Sequence, residues 1–392
     1  MTDEWAEFQW FASDDGQRQL AELASIDMPL PSQVTRLRKQ YSPERTHLLL
    51  EQVELRKKAR EKFTQPERML FTPRALEQAT DEWVASYKVS RFPMQQSVAD
   101  LCCGIGGDLL ALGRHGKAVG VDRDPLMSWL ARHNSGQLTL AADACEVDLA
   151  NVQAWHIDPD RRPNERRTTR VVDHQPGSEA IERMLRQNPN GAIKLAPAAE
   201  WPDSWSSQAE FEWISRDRQC RQLVAWFGAL AHQHSQRTAT VLDARGGVLD
   251  TVSGTHEQMM PDTRDIGRWL FEPDPAVIAA RLTGALATLE DLQPIARDIA
   301  YLTGDRLVSR GSLAAFEVLD ALPYDGKRLK AWLLARDALC VEVKKRGVDL
   351  DPAKVARQLR VSGTQKVTLV LLPIAGRVTA VMTSRIIKES SP

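Results

Sequence analysis

Ser97-Val98-Ala99-Asp100-Leu101-Cys102-Cys103-Gly104-Ile105-Gly106-Gly107-Asp108 decides how this chain is read. A short apolar strand runs straight into a glycine-rich turn, and the residues after it suit a helix. Glycines at 104, 106 and 107 let the backbone turn tightly and clear side chains from a ligand at the helix N-terminus. Glycines alone are weak evidence. The next predicted strand, 117–121, ends at Asp122, eighteen residues beyond Gly104, where a carboxylate can take both hydroxyls of a ribose. With neighbouring Arg123, these residues mark a nucleotide-type cofactor site in an α/β domain.

The acid before the glycines separates two cofactor classes. Dinucleotide sites admit a pyrophosphate and carry apolar residues up to the first glycine. Asp100 would repel a pyrophosphate but can accept hydrogen bonds from a cationic amino group or a nearby backbone. S-adenosylmethionine offers such a group and has no phosphate. From Arg91 to His234 the chain resembles the class I S-adenosylmethionine-dependent methyltransferases, whose first motif is an acid, small residues (here Cys102 and Cys103) and Gly-x-Gly. The resemblance implies a Rossmann-like core and cofactor contacts from Asp100, Cys102, Cys103, Gly104, Gly106, Gly107, Asp108, Asp122 and Arg123. It further implies an adenine contact from Asp143 and Ala144 in Ala142-Asp143-Ala144. The catalytic or substrate-orienting motif falls at His156-Ile157-Asp158-Pro159, with Asp158 and Pro159 as the catalytic candidates.

At 392 residues the chain exceeds the usual single-core size, so two or three domains are expected. Its formal net charge of −1 says nothing about an anionic partner, although local charge can. The first residues lack a basic-then-apolar signal pattern, and no apolar run approaches the ~18 residues that span a bilayer. These features lead us to expect a cytoplasmic protein without membrane association. The five cysteines (102, 103, 145, 220 and 340) show no Cys-x-x-Cys spacing and the eight histidines are scattered, so neither a metal nor a disulfide framework is expected.

Residues 1–90 read as helical, including a basic helix over 46–63 with the run Arg56-Lys57-Lys58-Ala59-Arg60, either a solvated face or an RNA contact. Just before the core, the methyltransferase resemblance implies a helical segment closing over the cofactor, with Thr72, Gln78 and Thr80 as candidate contacts, or else Thr72-Pro73 simply opens a helix. The core, 91–250, alternates strands (97–101, 117–122, 137–141, 153–158, 190–196, 209–215, 238–243) with helices (107–114, 125–134, 178–187, 219–232), the pattern of a parallel sheet covered on both faces. A helical connector is expected over 251–312. Residues 313–392 read as a small α+β domain, with strands 315–319 and 340–344, helices 326–335 and 352–359, and a hairpin turning at Ala375-Gly376. The run from Val341 to Pro352 and that hairpin resemble the THUMP-like domain that follows a methyltransferase core in a group of bacterial proteins. That resemblance implies RNA as partner, tRNA or ribosomal RNA, with Lys344, Lys345 and Arg346 either meeting phosphates or serving solubility.

Asp158-Pro159-Asp160-Arg161-Arg162 bears on the acceptor atom. Enzymes that methylate exocyclic amines of bases commonly have Asp/Asn-Pro-Pro-aromatic, and only Asp-Pro is kept here, so no ring stacks from that position. The uridine-C5 enzymes, which Asp-Pro-x-Arg also resembles, need a nucleophilic cysteine. Cys220 is the core's one downstream cysteine and reads as structural. The glycine motif also resembles that of the guanosine-N2 cap-forming methyltransferases, and this resemblance makes amine methylation on an RNA base the favoured reading, beside a small-molecule methyltransferase and a non-catalytic cofactor-binding RNA adaptor. Trp155 and Trp226 are either stacking partners or core. Arg161, Arg162, Arg166 and Arg167, with Arg170 close behind, are candidate substrate-phosphate contacts or a solvated loop.

Overall fold

The computed structural model describes residues 3–26, 30–162, 168–255, 265–296 and 299–386. Arg166 and Arg167 lie outside them. The chain divides into two units: Met1–Glu210 with Leu223–Ser235 and Ala244–Gly247, and Phe211–Gln222 with Gln236–Asp243 and Val248–Pro392.

The first unit opens with helices α1 (Asp3–Ala12), α2 (Asp14–Ser25), α3 (Leu30–Leu37), α4 (Pro43–Ala59), α5 (Pro73–Gln78) and α6 (Glu82–Val89). Their starts follow from local chemistry: the Ser13, Ser42, Thr72 and Asp81 side chains each accept a backbone N–H of the first turn, and proline follows at 43 and 73. Phe8, Phe11, Leu20 and Leu23 bury against Leu49, Val53, Phe63 and Phe71 of the same cluster. Arg56 departs from the expected cationic face. It is buried, donating to the Met69 carbonyl at 3.0 Å and to Gln17 at 3.0 Å, and desolvation pushes its guanidinium down to about 10.

The α/β part of this unit comprises β1 (Ser97–Leu101), α7 (Gly107–His115), β2 (Lys117–Asp122), α8 (Pro125–Ser135), β3 (Leu138–Ala141), β4 (Ala154–Ile157), α9 (Ser178–Gln187), β5 (Gly191–Leu195) and α10 (Asp203–Ser206). The strands pair in the order β3-β2-β1-β4-β5, all parallel. The order reverses between β1 and β4, and in such sheets the crevice beyond the strand ends at that point is where ligands bind.

Two hairpin strands follow, β6 (Glu210–Arg216) and β7 (Gln219–Trp226), of which residues 223–226 pair antiparallel with β5. The helix expected over 219–232 is therefore a strand and a loop. Asp217 and Arg218 turn the chain with φ of 52° and 55°, a conformation usually signalled by glycine or asparagine, and Gln, Arg, Leu and Ala nearby favour helix by propensity. Trp155 and Trp226 are fully buried, Trp155 donating to the Asn188 carbonyl at 2.8 Å, so both are core and neither is a stacking surface.

In the second unit β8 (Arg237–Leu242) pairs parallel with β6 and antiparallel with β9 (Val248–Gly254). Residues 251–312, expected as a helical connector, carry among the described residues the end of β9 and then β10 (Trp269–Pro273), α11 (Pro275–Ala279), α12 (Thr283–Glu290), β11 (Gln293–Ala296) and β12 (Ile299–Gly304). Then come β13 (Leu313–Pro323), α13 (Gly326–Ala335), β14 (Ala338–Lys345), α14 (Pro352–Gln358), β15 (Gln365–Ile374) and β16 (Arg377–Arg385), completing a sheet ordered β11-β12-β10-β13-β16-β15-β14. Leu329, Trp332, Leu333 and Val355 pack the helices onto Val367, Leu369 and Met382 of the sheet, while Leu270, Tyr301, Phe316, Val370 and Val381 form a separate cluster.

Candidate active site

Beyond the ends of β1, β2 and β4, a cavity of about 450 Å³ opens, within the range that holds nucleotide-sized ligands. Cys102 and Gly104 both take φ of 54° as the chain leaves β1, and a Cβ at Gly104 would meet nothing within 4 Å, so this glycine leaves the cavity clear. Gly106, expected as a cofactor contact, is not among the residues lining the cavity. With φ of 85° and a Cβ position 3.2 Å from the Ala131 backbone, it allows the turn into α7 and the approach of α8. Cys102, Cys103, Gly104, Gly107 and Asp108 all line the cavity.

Asp122, at the end of β2, accepts the Gly104 and Asp124 backbone N–H groups, each at 2.9 Å. Burial raises its carboxyl above the ordinary value, and these two N–H groups counter part of that rise. Arg123 lines the cavity beside it, as do Ala144 and Asp143, the latter accepting the Cys145 N–H at 2.8 Å. Thr72 and Gln78 line it from α5. Thr72 also caps that helix, its side chain accepting the Ala75 backbone N–H. Thr80 donates to Asp108 at 2.6 Å.

Behind the glycine turn lies a buried polar chain that sequence reasoning missed. Parallel pairing sets Asp100 of β1 beside His156 of β4. His156 Nδ1 is 2.7 Å from Asp100 Oδ1, its Nε2 is 3.3 Å from Lys88 Nζ, and Lys88 pairs with Asp108 at 2.6 Å. The two ring nitrogens of His156 thus bridge the Asp100 carboxyl and the Lys88 ammonium. Burial raises the Asp100 carboxyl, with His156 opposing. For Asp108 burial acts the same way, but Lys88, His156 and Lys194 outweigh it and hold this carboxyl well below the usual range. Asp108 thus neutralises Lys88 besides lining the cavity. Asp100 Oδ2 is buried, has no hydrogen-bond partner among the described residues, and belongs to a side chain on the cavity wall.

Asp158, Pro159, Asp160 and Arg161 also line the cavity, and the Asp158 backbone N–H donates to the Leu101 carbonyl at 3.2 Å, where β1 enters the glycine turn. Asp158 Oδ2 accepts from Lys194 Nζ of β5 at 2.5 Å. Arg162 does not line the cavity but pairs with Glu77 at 2.7 Å, and Arg74 pairs with Asp160 at 3.3 Å. Lys194 carried one legible signal, a lysine inside the apolar run Gly191-Ala192-Ile193-Lys194-Leu195. In the second unit, Lys344 is engaged by Glu272 at 3.0 Å and Glu342 at 3.3 Å, so Lys345 and Arg346 are the exposed cations of that run. Cys220 lies on β7, its thiol pushed up to about 12 by burial, which suits a structural residue rather than a nucleophile. Among the described residues, no cluster of three or more His, Cys, Asp or Glu could hold a metal, and no helix is long and apolar enough to cross a membrane.

Comparison with known proteins agrees with this geometry. Residues 313–385 match the family model described as THUMP domain-like, and residues 4–59 match a domain of unknown function (DUF8688). An "Uncharacterized S-adenosylmethionine-dependent methyltransferase" of Mycobacterium tuberculosis, found in strains CDC 1551 and H37Rv, is 34% identical over 312 residues, covering 78% of this chain and 85% of the relative. A crystal structure described as a "putative methyltransferase from Porphyromonas gingivalis W83" superposes with a TM-score of 0.77 at 18% identity, covering 95% of this chain and 97% of that one. On the M. tuberculosis match, this chain belongs to the S-adenosylmethionine-dependent methyltransferases.

Proposed function

We propose that this methyltransferase modifies a base in RNA, at an exocyclic amine. In this reading residues 1–90 and the core, 91–250, supply the cofactor and acceptor sites, and the THUMP-like region, 313–392, supplies an RNA-binding surface. Charge carries the RNA part. From Leu313 to Ile386 thirteen Lys and Arg stand against seven Asp and Glu, whereas the whole chain has 51 against 52. Lys327, Arg328 and Lys330 of α13 are exposed, as are Lys354 and Arg357 of α14 and Arg360 just past it. Among the described residues none of these six makes an ion pair. Exposed cations on two helices that both pack against β14 favour a polyanionic backbone.

The cavity fits S-adenosylmethionine. The orphaned Asp100 Oδ2 suits a cationic amino group, the clear space at Gly104 admits the ligand past the turn, and Asp122 suits ribose hydroxyls. When bound, the cofactor supplies an electrophilic methyl group on a sulfonium. Asp158 accepts a hydrogen bond from the acceptor amine, orients its lone pair and stabilises the positive charge that grows there. Arg161, on the same wall, takes a phosphate or the face of the base.

Asp122→Ala should weaken S-adenosylmethionine binding by about 1–3 kcal/mol, because ribose hydroxyls lose a charged acceptor. Calorimetry reads this directly, and unchanged affinity in a folded variant would move the ribose elsewhere. RNA affinity should fall steeply with salt, and replacing Lys354 and Arg357 by alanine should flatten the slope of log K against log salt by about 1.4, roughly 0.7 for each phosphate no longer neutralised. Labelled methyl transfer into total RNA against a metabolite extract, followed by nucleoside analysis, tests the whole reading. Label entering only metabolites would replace RNA with a small-molecule acceptor.

A further inference from the structure

The C-terminal carbonyls of a helix lack intrahelical partners, and α5 is only six residues long, too short to persist by its own hydrogen bonds. Two lysines meet these carbonyls. Lys62 Nζ donates to Leu76 O and Glu77 O at 2.8 Å each and to Ala79 O at 2.9 Å, while Lys194 Nζ reaches Gln78 O at 3.3 Å. Lys194 is also the cation 2.5 Å from Asp158. One ammonium therefore joins the Asp158 carboxylate on the cavity wall to the helix whose Thr72 and Gln78 also line it. The crossed pairs Arg74–Asp160 and Glu77–Arg162 tie the same helix to the segment after β4.

We propose that Lys194 is a positioning residue for methyl transfer, holding Asp158 in one orientation and fastening α5 over the cofactor cavity. It acts through Asp158 and α5, since its own side chain is not among those lining the cavity. Burial alone would lower the pKa of its ammonium. The facing Asp158 and Asp108 carboxylates reverse that and raise the ammonium above its ordinary value, so Lys194 remains a donor and does not serve as a base. With one Asp158 oxygen committed to Lys194, the other is left for the acceptor amine. Swinging of this carboxylate is suppressed before the acceptor arrives, which lowers the orientational part of the barrier. Loss of Lys194 should therefore lower turnover more than acceptor affinity.

This inference rests on the reading of Asp158 as the acceptor-site carboxylate, and the test separates the two. Full-length Lys194→Met, Lys194→Gln, Lys194→Arg and Asp158→Ala are compared by hydrogen exchange of the amides of residues 73–80 without acceptor, and by methyl transfer into total bacterial RNA with kcat and KM measured separately. Lys194→Met and Lys194→Gln should raise exchange in α5 by about tenfold and lower kcat by about tenfold or more with KM within a few-fold. Lys194→Arg should recover most of both. Lys194→Gln serves where the methionine variant does not fold. Parental exchange and parental kcat in the folded Met or Gln variant, beside an inactive Asp158→Ala, overturns the role of Lys194 and leaves that of Asp158 standing. Parental kcat in Asp158→Ala overturns the reading beneath it.

Discussion

Asp158→Ala should cut methyl transfer by about two orders of magnitude or more, while S-adenosylmethionine affinity stays within a few-fold. The asymmetry follows from position. Asp158 follows β4 directly and is paired with Lys194, whereas Asp122 ends β2 and Asp143 follows β3. A hundredfold loss corresponds to about 2.7 kcal/mol of barrier, the scale on which one preorganised charge facing developing charge acts. Asp158→Asn, which keeps a carbonyl for Lys194 but no charge, should fall between parent and alanine variant. Transfer of labelled methyl groups at saturating cofactor, with calorimetry on the same samples, reads both quantities. An alanine variant that binds cofactor and turns over at the parental rate would remove Asp158 from the chemistry.

The largest effect on stability is expected at Asp108. Lys88 is 2% exposed and its ammonium lies 2.6 Å from Asp108, so Asp108→Ala leaves a buried charge without its counter-ion, at a cost of about 3–5 kcal/mol. Chemical denaturation against the parent measures it. The pH dependence has a defined sign. The folded carboxyl sits below its unfolded value of about 3.9, so its contribution is present above that pH and is lost as pH falls toward the folded value. The gap between parent and variant should therefore close below about pH 4. A variant of parental stability with weakened cofactor binding would instead return Asp108 to direct ligand contact.

These two residues mark where local reading ends. The glycine turn, Asp122 and Asp143 were legible because strand end, turn and following helix lie within a few residues, and propensity and backbone geometry act at that range. Asp100, Asp108 and Asp158 were found as acids, but their partners were not. Lys88 comes from the helical N-terminal part. His156 reaches Asp100 only because β4 inserts beside β1, and Lys194 reaches Asp158 only because β5 inserts beside β4. Strand order is a tertiary outcome, so neither contact has a signature in sequence spacing. The strand read as helix at 219 fails for a related reason: its conformation is imposed by its place in the sheet between β5 and β6, against its own propensity.

The match to the THUMP-like family begins at residue 313, in the middle of a sheet. Five residues of β10, Trp269 to Pro273, pair with β13 across that boundary, and Lys344 of β14 is neutralised by Glu272 of β10. A chain cut at 313 would therefore leave β10 with one bare edge and Glu272 without its cation, exposing apolar strand to aggregation. The portable cassette, the piece that a gene fusion or graft could carry intact, is larger than the family match. It has to include β10 to β12, so a chimaera designed at the apparent domain border would test the damage to the sheet rather than the contribution of the domain.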